Sequence, residues 1–201
     1  MNNDLKPYKN ILANVARHVT LSEEEKIFFC SLLRPKKLRK RQYLLQEGDV
    51  SRYETFVDKG LLRTYFLDNN GTEHIIQFSP ENWWTNDLVS FNTGKPSKLS
   101  IDALEDSELF QLDKPGMDLL FERIPKFEKF YRIQFQNALI SVSDRLISHL
   151  AESAEERYLE LSEHCIGLEN RIPLKYIASY LGVTPEFLSR LRRKLAKKKP
   201  A

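Results

Sequence analysis

Four side chains near the C-terminal end, Glu186, Ser189, Arg190 and Arg193, recur at intervals of three and four. That spacing puts a carboxylate, a hydroxyl and two guanidiniums on one face of a helix. The chemistry of such a row suits base-pair edges in a DNA major groove. Arginine bonds guanine O6 and N7 bidentately, a carboxylate accepts from cytosine N4, and serine serves either partner. On the opposite side of the same turns, Leu188, Leu191 and Leu195 supply an apolar stripe for packing. Thr184, Lys175, Arg192, Lys194 and Lys197 surround the row and suit phosphates, which position a protein on the duplex without reading it.

No other residues combine into a chemical motif of this kind. Cys30 and Cys165 lie far apart without CxxC spacing, so neither a disulfide framework nor a metal ribbon is expected. His18, His74, His149 and His164 show no HxH or HExxH pairing. A metal-dependent catalytic barrel of the cupin kind would need clustered histidines, and only His74 falls among the strand-like segments. The expectation is a protein that is not an enzyme and has no predicted cofactor.

The elements that must position the reading row are legible around it. Leu174–Leu181 has helical periodicity, and Gly182 supplies the left-handed residue that ends such a helix. Thr184 then stands at an N-cap and Pro185 at the first helical position of a second helix running to about Lys197. Ala178 is small where two helices would cross. Together these predict a helix-turn-helix from Leu174 to Leu195. Charge agrees: from Arg171 onward nine Lys and Arg face one acid, Glu186, so a chain of net charge +3 is acidic before that point.

Upstream, residues 5–34 read as helical, with a capping box at Ser22 and Glu25, and Pro35 as the stop. The basic run Lys36–Arg41 follows and reads as a solvated strand face. From Gln42 to Asp113 short strands alternate with turns, among them a hairpin at Asn70-Gly71. This predicts an antiparallel barrel or jelly roll. Helical periodicity returns from about Pro125 to Glu155, with apolar residues on more than one face. A surface that broad has to cover a core or meet a partner, here the barrel on one side and a second copy of the chain on the other. A further helix around Ala154–Cys165 leads to the basic end. The predicted class is α+β, with a sensory domain over 1–124, a dimerisation helix over 125–155 and a DNA-binding domain over 156–201. No apolar run reaches the roughly 20 residues of a membrane span and no secretory signal is visible, so a cytoplasmic location is expected. An alternative without DNA is an assembly module whose basic end only solubilises it.

A β-roll, a long helix and a C-terminal helix-turn-helix in 201 residues resemble the Crp/Fnr family of bacterial transcription regulators. The segment Glu186-Phe187-Leu188-Ser189-Arg190 is similar to the family's E-x-x-S-R recognition motif. RYLELSEHC…NRIPLKYIASYLGVTPEFLSR is similar to members of the Bacteroidetes type. The resemblance implies base reading by Glu186, Ser189 and Arg190, and homodimers on two-fold symmetric double-stranded DNA. It also implies RNA polymerase as a partner, without an assignable surface. In members that bind cyclic nucleotides, a Glu takes the ribose and an Arg the phosphate. Here the matching stretches are Trp84-Thr85-Asn86-Asp87-Leu88 and Pro96-Ser97-Lys98-Leu99. Asp87 replaces the Glu, and Ser97 stands at the Arg position beside Lys98. A lysine is a point charge rather than a bidentate fork, so cAMP is not the expected effector. Trp84, Asp87, Leu88, Ser97 and Lys98 are the candidate pocket.

Overall fold

Ser22 opens the helix Glu23–Leu32 (α2) with the expected capping box: its hydroxyl accepts the Glu25 N–H at 3.2 Å and its own N–H reaches the Glu25 carboxylate at 2.7 Å. The computed structural model describes residues 5–164 and 167–198. Before α2 lie a 3₁₀ turn and Lys9–Ala16 (α1), so the helical stretch from residue 5 is broken rather than continuous. The helix also ends earlier than expected. Arg34–Leu38 is already a strand (β1), and the strand region begins there rather than at Gln42. Pro35 is tolerated because β1 is an edge strand that pairs only with β8, so its missing N–H costs no ladder bond inside the sheet.

The remaining strands are Tyr43–Leu45 (β2), Tyr53–Lys59 (β3), Leu62–Leu67 (β4), Glu73–Ser79 (β5), Trp84–Thr85 (β6), Ser100–Ala103 (β7) and Ser107–Asp113 (β8). They form two antiparallel sheets in the orders β1-β8-β3-β6 and β2-β7-β4-β5. The period-2 alternation of side chains sorts them into two layers. Val57, Leu62, Ile101 and Leu109 fill the space between the sheets. Phe56, Phe110 and Leu112 point the other way, under α1 and α2 and onto Phe127 and Phe130. Gly60, at φ 106°, turns β3 into β4 so close to β8 that a Cβ would lie 2.7 Å from Ser107 Cα. The Asn70-Gly71 hairpin is present, with Asp68 Oδ1 accepting the N–H groups of Asn70 and Thr72.

Helix Leu88–Thr93 (α3) interrupts the strands, opened by Asp87 and closed by Gly94 at φ 70°. After β8 come Lys114–Arg123 (α4) and the long helix Lys126–Ala151 (α5). The long helix stops short of the expected Glu155. Ser153 starts a second capping box with Glu156, its N–H bonding the carboxylate at 2.7 Å, and a separate helix Ala154–His164 (α6) begins. Leu174–Leu181 (α7) and Pro185–Lys198 (α8) end the described chain. Among the described residues no helix is long and apolar enough to cross a membrane. Cys30 is buried, and burial pushes its thiol up to about 12; Cys165 and Lys199 lie outside the described residues.

Candidate nucleic-acid interface and effector cleft

Helices α7 and α8 meet at a turn of the kind the residue types require. Gly182 takes φ 69° and ψ 32°, and the Val183 N–H closes on the Ala178 carbonyl at 2.9 Å. Thr184 Oγ1 accepts the Phe187 N–H at 3.2 Å, capping α8. Ile177, Ala178, Leu181, Leu188 and Leu191 are buried together between the two helices. That burial leaves Glu186, Arg190 and Arg193 exposed and Ser189 half-buried on the outer face, with Arg193 donating to Ser189 Oγ at 3.3 Å. The structure therefore brings the four predicted base readers onto one open surface.

The surrounding residues are less uniform. Arg192 and Lys175 are exposed, Lys175 lying 4.7 Å from the centre of the Tyr176 ring. Lys194 is paired with Glu155 at 2.7 Å, tying α8 to α6; such surface pairs are worth about 0–1 kcal/mol and exchange readily. The Thr184 hydroxyl oxygen serves the cap and keeps its proton for an acceptor. The Lys197 side chain lies outside the described residues. Phe187, which stands beside the reading row and is 40% exposed, has no role in the sequence reading; an aromatic at the third helical position was the available signal.

The unit is seated on the β-roll by its first helix. Ser179 Oγ donates to the Glu73 carbonyl at 2.7 Å and accepts the Ile75 N–H at 3.1 Å, satisfying groups on the free edge of β5. Arg145 of α5 lies over the Tyr180 ring at 4.0 Å and donates to the carbonyls of Ile75, Ile76 and Tyr180. Arg63 of β4 is buried and sits between Tyr65 and Tyr176, 4.3 and 4.0 Å from the ring centres. It forks onto Asp102 at 2.7 and 2.8 Å and reaches Glu73 at 2.6 Å. Burial alone would loosen its proton, but the bonds to Asp102 and Glu73 outweigh burial and hold it more tightly.

Of the expected effector residues, Asp87 and Ser97 are brought together, and Trp84, Leu88 and Lys98 are not shown beside them. Asp87 accepts the N–H groups of Val89 and Ser90 and stands 2.7 Å from Ser97 Oγ, so its oxygens hold the start of α3 rather than face a ligand. Trp84 donates to Asn14 at 3.0 Å and packs against Phe56, Phe130 and Tyr131. Leu88 and Lys98 are exposed, and Ser97 is buried. A short acidic residue before a helix is an N-cap, and its carboxylate turns back to the backbone. Two adjoining clefts of about 330 and 350 Å³ share Val50, Ser51, Arg52 and Tyr53. The first runs between the sheets past Thr55, Thr85, Asn86, Ile101 and Gln111, and none of the five expected residues lines either cleft.

Behind that cleft is a buried carboxyl that sequence reasoning missed. Glu54 is in phase with Phe56 on β3, an acid at an apolar position, which was the visible signal. Asn86 donates to it at 2.5 Å, and the buried Tyr131 hydroxyl of α5 has no hydrogen-bond partner among the described residues. Burial raises Glu54 from its ordinary 4.5 to about 8, against the smaller opposite effect of Asn86. Below 4.5 the group is neutral in both folded and unfolded chains. Between 4.5 and about 8 only the folded chain keeps the proton, so stability falls as pH rises through that window. The slope is up to about 1.4 kcal/mol per pH unit. Glu54→Gln is expected to flatten this fall, gaining on the native chain in melting temperature from pH 5 to 8. A constant difference between the two across that range would show that Glu54 is not held neutral.

Comparison with known proteins agrees with this architecture. The family model described as a cyclic nucleotide-binding domain matches residues 35–123. The fumarate and nitrate reduction regulatory protein of Vibrio cholerae is 26% identical over 189 residues, covering 86% of this chain and 73% of its own length. The anaerobic regulatory protein of Pasteurella multocida is 26% identical over 197 residues, covering 89% and 69%. Among solved structures, FixK2 from Bradyrhizobium japonicum superposes with a TM-score of 0.70 at 18% identity, over 83% of this chain and 85% of that one.

Proposed function

We propose that this chain, similar to regulators of the Crp/Fnr family, acts as a homodimeric transcription regulator that reads a two-fold symmetric DNA site with α8. The observation that carries the reading is the division of α8 into a buried leucine side and an exposed side bearing Glu186, Ser189, Arg190 and Arg193. Arg190 and Arg193 are assigned to guanine, Glu186 to cytosine and Ser189 to either. Lys175, Thr184, Arg192, Lys194 and Lys197 are assigned to phosphate. The proposed units remain a sensory β-roll over 1–124, a dimerisation helix over 125–155 and a DNA-binding domain over 156–201.

The second copy is assigned to α5. Its first turns are anchored, with Phe127 and Phe130 fully buried. From Phe135 onward the apolar residues Leu139, Ile140, Val142, Leu146, Ile147 and Leu150 are all exposed. A run of large apolar side chains in water marks an interaction face. The effector is assigned no identity. A cyclic nucleotide is disfavoured because Asp87 and Ser97 bond each other and no guanidinium stands at the Ser97 position.

The reading is tested by selecting duplexes from random sequence with the full chain and then comparing Arg190→Ala on the selected site and on unrelated DNA. The expected loss on the selected site is about 1–3 kcal/mol, with little change on random duplex. Equal losses on both would remove Arg190 as a base reader. Binding that does not weaken with salt would remove DNA as the partner.

A further inference from the structure

We propose that Phe187 is a fifth reader on α8, its ring packing against the C5-methyl group of a thymine at or next to the base pair taken by Arg190. The inference rests on the α8 reading and adds to it a base that the polar row leaves unread. Glu186, Ser189, Arg190 and Arg193 offer carboxylate, hydroxyl and guanidinium groups, which suit the polar edges of cytosine and guanine. Thymine presents a methyl group in the major groove, and an apolar side chain matches it.

The turns of α8 place the ring. Successive residues advance by about 100° around a helix, so Phe187 stands about 60° from Arg190 and about 40° from Leu191. It therefore occupies the border between the reading face and the packing face. The packing face is filled without it: Leu188 and Leu191 are buried, and Leu195 packs against the same cluster. Phe187, the largest apolar side chain of the helix, is left 40% exposed, and its ring meets no other ring and no cation among the described residues. Residues three apart on a helix have Cβ atoms about 5–6 Å from each other. Stacked base pairs repeat at about 3.4 Å. A base pair taken by Arg190 thus has the Phe187 ring level with it or with its neighbour.

A lone exposed aromatic is ordinary on a protein surface. Two observations set this one apart. It is third in Pro185–Lys198, in the first turn, and the N-terminal residues of a recognition helix are those that reach base edges. Its backbone is also fixed there. Thr184 Oγ1 accepts the Phe187 N–H at 3.2 Å, and the next residue, Leu188, is anchored between α7 and α8. A ring with two side-chain torsions on a capped turn gives up little freedom when it makes contact.

The test takes the duplex selected by the full chain and replaces each of its thymines in turn by uracil, which removes the methyl group and keeps the pairing edge. At one thymine in each half-site the native chain is expected to bind about fourfold more weakly, the value of one apolar carbon taken out of water. F187A is expected to bind thymine and uracil duplexes alike at that position, and F187L, which keeps an apolar side chain there, to retain part of the difference. Neither variant empties a core position, and alanine and leucine both favour helix. A native chain indifferent to uracil at every thymine overturns the proposal whatever the variants do. A thymine preference that F187A keeps in full overturns it too, because another residue then reads the methyl group. A native chain that selects no site overturns the reading of α8 itself, and the Phe187 assignment with it.

Discussion

Replacing Leu139 and Leu146 together by glutamate is expected to leave the chain monomeric and to lower its affinity for the symmetric site by about a hundredfold or more. The two leucines are 67% and 60% exposed, so in a single chain their substitution disturbs no core packing. Their apolar neighbours on α5 recur at three and four, Phe135, Leu139, Val142 and Leu146, the spacing of a helix–helix seam. Four carboxylates brought together in a two-fold seam would be desolvated without cations, which a dimer does not tolerate. Affinity falls because each reading helix then binds alone. Linking two half-sites adds about 10²–10⁴ over one without any new interaction. Sedimentation at micromolar concentration reads the first effect and titration with the selected duplex the second. A variant that stays dimeric would move the dimer seam off α5. A native chain already monomeric at the same concentration would remove the homodimer altogether.

Arg63→Met is expected to cost about 3–5 kcal/mol of stability, the usual penalty for removing one partner from a buried charge pair. Asp102, 6% exposed, would lose the fork that now bonds both its oxygens. Methionine conserves much of the volume between Tyr65 and Tyr176, so the effect is electrostatic more than steric. For a chain of this size each kcal/mol shifts the melting temperature by roughly 2–4 °C. The double variant Arg63→Met/Asp102→Leu is expected to recover most of the loss, because a buried pair and an apolar pair of similar volume are often equivalent. A single variant within about 1 kcal/mol of native would show that Arg63 is solvated rather than clamped. Because Arg63 also joins β4 to Tyr176 of α7, amide exchange in α7 should rise in the single variant and return toward native in the double one.

The features visible before the structure were those whose partners lie within a few residues. Ser22 bonds Glu25, Thr184 bonds the N–H of Phe187, Gly182 closes α7, and Asn70-Gly71 turns a hairpin. Each is a short-range geometry that residue type nearly dictates. The same reasoning passed over Ser153 and Glu156, a local box lying inside an apolar periodicity that masked it. At Asp87 a family pattern and an N-cap ask for the same residue type, and only the folded structure shows its carboxylate turned to the N–H groups of Val89 and Ser90.

What the amino-acid order settled unaided was the two-faced helix Pro185–Lys198 behind its turn, with leucines on one side and Glu186, Ser189, Arg190 and Arg193 on the other. A helix repeats every 3.6 residues, so its faces are a property of the chain alone. Folding decided what those faces meet. Arg63 finds Asp102 from 39 positions away, Lys40 finds Asp106 from 66, and Ser179 reaches the edge of β5 from 106. The clefts open beside Thr55 and Gln111 rather than beside Asp87. Sheet order and packing between distant segments set these neighbours, and no local periodicity encodes which distant segment will arrive.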